Sequence, residues 1–576
     1  MKAARFSSFL LLAHFAWFLS HLPAFLSLND LSFNPLMTGL ACWYFLALHY
    51  FFWVLLALGF KNQGPKIFFS SLLSFYLILD FRLYLFQGVH LYEPIVLNSL
   101  FHPMANREFQ ISFATFIGII LIFIFLMFLH FVASKIQWIQ LQLSYKKIFI
   151  LSFLSILGII ATNLYYYIDP RIDAILLFKQ FHLPIVVAPP ENSKRPIREL
   201  IEIGEKENLK QSPNILLLAA ESFRADYFTS TLFPKTKEWL KNFEKQCFVS
   251  PQHFSGGHTT DYGIFSLLYG VPATYYYRYQ GEKKGPLTLK ALAEKNYYLW
   301  GRSSSHLTGW NNARFIFSSF DDYQEILGDS IEEDDKKVLL EAKKFLETPS
   351  SLSTESIQSK FMFLFFNASH YPYHYPEEFE QHSTSLKKGF NPAKVALAPY
   401  LYRKHLNNRY KNALFYLDSL WSSLLKEIDL EKTVLLITGD HGESFWELGA
   451  ASGHAKSNFV KSATQTPLWI CGPQETIHFF KQNFSEIKTT HEDVLPALIT
   501  SLSGQSSYPL SPQFMIAGHN YPEEGSKMAV VSRTDPAYEP LAFLVSHQKH
   551  IPYFPLQSLG KSSFSPLFFL DELAFK

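Results

Sequence analysis

Four kinds of side chain that can share one hard cation stand where short apolar runs end. "NILLLAA" (214–220) runs into Glu221, and "TVLLITG" (433–439) runs into Asp440 and His441. "HFSGGHTTDYGIFSLLYG" carries Thr259 and Thr260 where a glycine-rich turn meets an apolar helix. One Glu, one Asp, one His and one Thr would make a ligand set of three oxygens and a nitrogen. Hard oxygens with one imidazole suit Mn²⁺, Mg²⁺ or Zn²⁺, and the absence of thiolate disfavours a closed structural zinc site. Each residue also has a plainer reading. Glu221 suits a helix N-terminus, and Asp440-His441-Gly442 suits a turn. A threonine at a helix start either caps an orphan N–H or attacks an anion held at the positive end of the helix. As a nucleophile its hydroxyl is poor near neutral pH until a cation stabilises the alkoxide.

The elements that must position these groups are legible as a pattern. "YYLWGRS" (297–303), "FMFLFFNAS" (361–369) and "TPLWICG" (466–472) join the two runs above as short, non-alternating apolar stretches. Such stretches suit buried parallel strands, with crossover helices between them. The clearest of those helices is 402–428, "YRKHLNNRYKNALFYLDSLWSSLLKEI". A three-layer α/β fold follows, whose chemistry collects beyond the carboxyl ends of the strands.

The first part of the 576-residue chain has a different character. Much of the excess of aromatics (57 Phe, 30 Tyr) lies before residue 170, where charges are sparse. Five apolar runs there approach spanning length, at about 6–28, 36–59, 66–86, 112–134 and 148–167. Lys2, Arg5, Lys61, Lys66, Lys135, Lys146 and Lys147 all fall on one side of these runs. The N-terminus is therefore expected in the cytoplasm, and everything after Tyr167 across the membrane. The expected organisation is a five-helix transmembrane domain (1–170), a basic linker (171–210) and an exported α/β domain (211–576). Cys42 falls within the second run; Cys247 and Cys471 could pair in an oxidising compartment, though their spacing does not demand it. Asp80 and Arg82 read as a structural ion pair. A net charge of +2 points to no particular partner, and no nucleic-acid binding is expected.

In order and context, "LLLAAES", "GHTTDYGIFSLLYG" and "LLITGDHGE" resemble the sulfatase-like, alkaline-phosphatase superfamily. The resemblance is closest to its membrane branch of lipoteichoic acid synthases, lipid A phosphoethanolamine transferases and YejM-like (PbgA) proteins. It implies that Glu221, Asp440 and His441 bind one divalent metal (Mn, Mg or Zn). It implies Thr259 as the metal-bound nucleophile, because the family's nucleophile opens a Thr–small–X triplet; Thr260 would then cap or support. His370 in "NASHYPYHYP" resembles a substrate-contacting histidine. Trp310 and Arg314 in "GWNNARFIFSSF" resemble a substrate-binding pair at altered spacing, and His454 in "SGHAKS" could face the site as a proton donor.

"DFRLYLFQGVHLYEPIVLNSLF" (80–101) and "AILLFKQFHLPIVVAPP" (174–190) resemble the YejM-like group most. That resemblance implies a bacterial inner-membrane protein linked to lipopolysaccharide homeostasis, with a phospholipid headgroup or lipid A as ligand and regulatory proteins of lipopolysaccharide synthesis as partners. Lys194, Arg195 and Arg198 would contact lipid phosphate. Two functions remain: a metal-dependent phosphotransferase or phosphatase, or a lipopolysaccharide-sensing regulator without turnover. Some YejM-like proteins lack the Asp-His pair that this chain keeps. Sulfate-ester hydrolysis is not expected, because no Cys/Ser-X-Pro-X-Arg stretch precedes a helix.

Overall fold

The computed structural model describes residues 212–347, 359–390, 395, 399–445, 452–454, 459–518, 527–534, 541–546 and 549–553, with isolated positions at 68, 71–72, 75–76 and 123–128. The linker with Lys194, Arg195 and Arg198, together with Cys42, Asp80 and Arg82, lies outside the described residues, as does nearly all of the expected transmembrane domain. Among the described residues no helix is long and apolar enough to cross a membrane.

The centre is a seven-stranded sheet. In chain order its strands are β1 (Asn214–Ala220), β2 (Cys247–Val249), β3 (Tyr297–Ser303), β4 (Asp322–Glu325), β5 (Ser359–Phe366), β6 (Thr433–Gly439) and β7 (Leu468–Cys471). Across the sheet they run β2-β7-β6-β1-β5-β3-β4. β1 lies between β5 and β6, parallel to both. Residues 215–220 are fully buried, because the sheet is covered on both faces. Ile215, Leu217 and Ala219 face one core, while Leu216, Leu218 and Ala220 face the other, as the two-residue period of a strand requires.

Helices α1 (Thr260–Tyr269) and α4 (His491–Leu502) supply the first core; α2 (Ile331–Glu347) and α3 (Pro399–Leu425) supply the second. This is the expected layering, and α3 is the helix read over 402–428. The sheet itself is mixed rather than all parallel. β7, read as another parallel strand, runs antiparallel to β6, and β2 antiparallel to β7. The chain leaves β6 into residues 440–467 at the strands' carboxyl end and enters β7 from that same end. A fully buried strand looks alike in either direction, so composition could not set its sense. Cys247 and Cys471 are cross-strand partners at this edge and form a disulfide. A separate antiparallel sheet (Gln513–Ala517, Lys527–Ser532, Leu541–Ser546, Lys549–Tyr553) follows α4.

Candidate metal and phosphoryl-transfer site

Strand register builds the site. Ala220 pairs with Phe366 on one side and Gly439 on the other, so Glu221 and Asp440 leave the sheet side by side. The ladder continues one step beyond the strands: Glu221 N donates to Phe366 O (2.9 Å) and Asp440 N to Ala220 O (3.2 Å). The chain then turns sharply at Ser222, whose φ of 53° lies in the left-handed region. Ser222 N donates to Asp440 Oδ1 (2.8 Å), and Tyr410 Oη of α3 donates to Ser222 O (2.6 Å). Ser369 Oγ holds the Glu221 carbonyl at 2.5 Å. Two carboxyl groups and an imidazole are thus fixed by backbone ladders, not by long flexible stems.

His441 Nε2 lies 3.1 Å from Glu221 Oε1 and 3.3 Å from Asp440 Oδ2. Its Nδ1 lies 2.7 Å from Gly442 O, a contact that requires Nδ1 to carry the proton. In the neutral ring Nε2 therefore presents its lone pair to two carboxylates. All three groups are essentially excluded from water. Burial pushes Asp440 well above the usual carboxylate range, and the Glu221 charge adds to this. Burial pushes Glu221 the same way, but the hydrogen bond and charge of His441, with His370 and His454, override it and hold Glu221 low. Burial lowers His441; the Glu221 hydrogen bond and charge more than offset it. Asp440 Oδ2 accepts no hydrogen bond among the described residues. Crowded acceptors, an aimed lone pair and an orphaned oxygen are what a divalent cation would satisfy, so the donor set fits a hard metal.

The threonine register differs from expectation. α1 begins at Thr260, whose Oγ1 donates to Glu221 Oε1 (3.1 Å) and Oε2 (3.2 Å) and stands 3.4 Å from His441 Nε2. Thr259 occupies the N-cap position in extended conformation, and its hydroxyl donates to Asp261 Oδ1 at 2.6 Å without capping a backbone N–H. Thr260, not Thr259, therefore faces the carboxylates, while the Thr259 hydroxyl turns to Asp261. The cause is helix geometry. Residues three apart share a helix face, and Gly263, three on from Thr260, is packed directly against the Asp440 backbone.

The imidazoles of His370 and His454 complete the rim. Their ring centroids are 5.8 Å apart, and that of His454 is 4.2 Å from His441. Ligand atoms of Glu221, His370 and His454 all lie within 4.8 Å of one another, as do those of Glu221, Asp440 and His441. His454 Nδ1 also reaches the fully buried Glu443 Oε2 at 3.4 Å. Trp310 and Arg314 open and populate a 3-10 helix, Trp310–Phe317. Arg314 is exposed, and among the described residues no hydrogen bond or ion pair joins it to the cluster; the Trp310 side chain lies outside the described residues. Sequence reasoning missed Ser222, Ser369, Tyr410 and Glu443. Ser222, Ser369 and Glu443 sat inside quoted motifs, whereas Tyr410, within the helix read over 402–428, carries no local signal of its contact.

Known proteins place this geometry in a wider group. Residues 213–504, a little over half of the 576, match the family described as Sulfatase. No curated protein matches the chain in sequence. Among solved structures, the integral membrane protein lipooligosaccharide phosphoethanolamine transferase A of Neisseria meningitidis covers 86% of this chain and 95% of its own, at 14% identity and a TM-score of 0.52. The C-terminal periplasmic domain of EptC from Escherichia coli covers 58% and 95% at 17% identity, with a TM-score of 0.42. The lipoteichoic acid synthase LtaP of Listeria monocytogenes covers 58% and 85% at 15% identity, with a TM-score of 0.39. At such identities the likeness is one of fold. On the family match over 213–504, the chain belongs to the sulfatase family.

Proposed function

We propose that this protein is a metal-dependent phosphotransferase acting on a membrane-lipid headgroup, with Thr260 as its nucleophile. The observation that carries the reading is the Thr260 hydroxyl, held 3.1 Å from Glu221 and 3.4 Å from His441 Nε2 at the start of a helix. Glu221, Asp440, His441 and Thr260 would hold one divalent ion, manganese, magnesium or zinc. Such an ion, when bound, favours the threonine alkoxide and offsets charge on the phosphoryl oxygens.

The chain's own groups account for the rest. Thr260 Oγ donates its hydrogen to the Glu221 carboxylate, which orients the hydroxyl, and the proton is released to solvent as the alkoxide forms. Oγ forms a bond to phosphorus while the bond from phosphorus to the leaving lipid oxygen breaks. His370 and His454 stand at the rim, where an imidazolium can protonate that oxygen. An acceptor hydroxyl, or water, then attacks the phospho-threonine and restores Thr260. The positive end of the α1 dipole, at Thr260, favours an anion bound at the same place.

An exported site on the outer face of a bacterial inner membrane is part of this proposal. The five apolar runs, the cross-strand disulfide and the fold shared with a membrane-integral transferase support it. The YejM-like relation, lipopolysaccharide control, partner proteins of its synthesis and lipid contact by Lys194, Arg195 and Arg198 rest on sequence resemblance alone. A buried donor set with its acid, imidazole and hydroxyl all in place favours turnover over a purely regulatory role. The test is headgroup release from phosphatidylethanolamine, phosphatidylglycerol or an aryl phosphate by the purified full chain. Thr260→Ala should lower turnover by about a thousandfold, while Thr259→Ala should change it little. Wild-type protein that holds metal yet releases no headgroup would point to the regulator instead.

A further inference from the structure

Residues 381–417 contain seven Lys or Arg (387, 388, 394, 403, 404, 409, 411) and no Asp or Glu. The whole chain carries +2, so the rest sums to 2 − 7 = −5, and this segment is a local concentration of positive charge. Part of the charge is absorbed internally. Arg409 is buried and donates to the carbonyls of Pro372, Tyr373 and Leu386, while Lys387 and Lys388 reach Glu380 and Glu332. Arg403 and Lys404 are different: both are exposed, and neither has an acidic partner among the described residues. Leu401 beside them is 75% exposed.

Their place in the fold gives these residues a direction. β5 and β6 are parallel to β1, so α3 between them starts at the carboxyl end of the strands, where the site lies. Tyr410 of α3 bonds to Ser222 at the level of the site. Leu401 comes nine residues earlier in the same helix, about 13 Å further out along its axis. The first turns of α3 therefore stand beyond the site, on the side from which a substrate arrives. Cations at a helix N-terminus oppose the macrodipole, and the first turn of α3 holds no acid to balance them. Helix stability does not explain Arg403 and Lys404.

We infer that the exposed start of α3, with Leu401 flanked by Arg403 and Lys404, docks on the surface of an anionic phospholipid bilayer. Leucine beside arginine and lysine is the composition of an interfacial helix segment: the apolar chain enters the headgroup boundary and the cations pair with lipid phosphate. Docking turns the catalytic end toward the membrane, and it requires no turnover.

The test places a polarity-sensitive fluorophore on Leu401→Cys, in a Cys42→Ser background, in the full chain held in lipid nanodiscs. Brominated acyl chains then report contact with the bilayer. A matched label on Glu294→Cys, just before β3 at the opposite end of the strands, is the control. In discs containing phosphatidylglycerol the 401 label should be quenched at least threefold more than in pure phosphatidylcholine, and the 294 label not at all. Each cation contributes about fivefold to binding an anionic surface, so Arg403→Glu with Lys404→Glu should reduce docking more than tenfold, and 0.5 M salt should act likewise. The neutral pair Arg403→Gln and Lys404→Gln should fall between, with metal content unchanged. Equal quenching in both lipids, quenching that survives charge reversal, a 401 label no different from 294, or a chain that does not stay with anionic bilayers would each overturn the inference.

Discussion

Gly263 of α1 lies so close to Asp440 that a methyl group at position 263 would fall on the Asp440 backbone oxygen. That oxygen also accepts Ser255 Oγ at 2.5 Å, and Gly263 O is held 3.0 Å from His491 Nδ1 at the start of α4. The helix bearing Thr260 is clamped from both sides at this glycine. Gly263→Ala would gain up to about 1 kcal/mol in helix propensity, but the overlap should outweigh it and destabilise the fold by about 1–3 kcal/mol. Displacing Thr260 by an ångström should lower turnover about a hundredfold. Calorimetry and the headgroup assay together check this; a more stable and fully active variant would show that no clamp exists.

Metal retention should depend on Asp440 in a way that spares the backbone. Oδ1 accepts N–H from Ser222 and His441 at 2.8 and 2.7 Å, leaving Oδ2 for the cation. Asp440→Asn can keep both backbone bonds through its remaining oxygen while removing charge from the cation side. The wild type should contain about one divalent ion per chain and lose Tm on chelation, because a ligand at 100 times its Kd stabilises by about 2.7 kcal/mol. The variant should contain none and show no response to chelator, as elemental analysis and thermal melts would reveal.

The edge of the sheet should soften without its disulfide. Cys247 and Cys471 close a loop spanning 224 residues between β2 and β7. Cross-links of this kind typically add about 2–4 kcal/mol by restricting the unfolded chain. Changing both cysteines to serine should lower the Tm by several degrees, and reductant should do the same to the wild type while leaving the variant unaffected.

Asp335 of α2 makes stability pH-dependent away from the metal ligands. It accepts N–H from Asn367 and Ala368 at 3.0 Å each and is bonded by Ser304 Oγ, tying down the segment that leads to His370. Burial pushes its carboxyl up to about 7, partly countered by these bonds. Between its unfolded value of 3.8 and 7 the native state holds a proton that the unfolded chain has lost. Stability from this group is therefore fully present at low pH and declines as pH rises through that window. Asp335→Asn, which resembles the protonated form, should show a flatter denaturation profile from pH 4 to 7.

Much of this site was legible because strands and their ends have simple signatures. "NILLLAA" and "TVLLITG" are buried on both faces, so each reads as an unbroken apolar run, and the first acid after each marks where the chain leaves the core. The threonine register was not legible. Whether 259 or 260 turns inward depends on which residue first takes helical dihedrals, a difference of one position decided by the packing of Gly263 on Asp440. The direction of β7 was hidden for the same reason that its existence was visible: burial on both faces erases any trace of orientation. Tyr410 and Ser369 reach the site from other elements, and no spacing in the chain announces a contact 188 residues apart such as that of Tyr410 with Ser222.

The central claim is that Thr260 carries the transferred group, and the most direct measurement is the mass of the peptide containing both threonines after brief exposure to labelled lipid. Acid quenching should trap the phospho-enzyme, and fragmentation can separate the two adjacent sites. The account predicts the added headgroup phosphate on Thr260, absent in Thr260→Ala and retained in Thr259→Ala. An adduct on Thr259 that persists in Thr260→Ala, or active protein with no adduct on either residue, would contradict it.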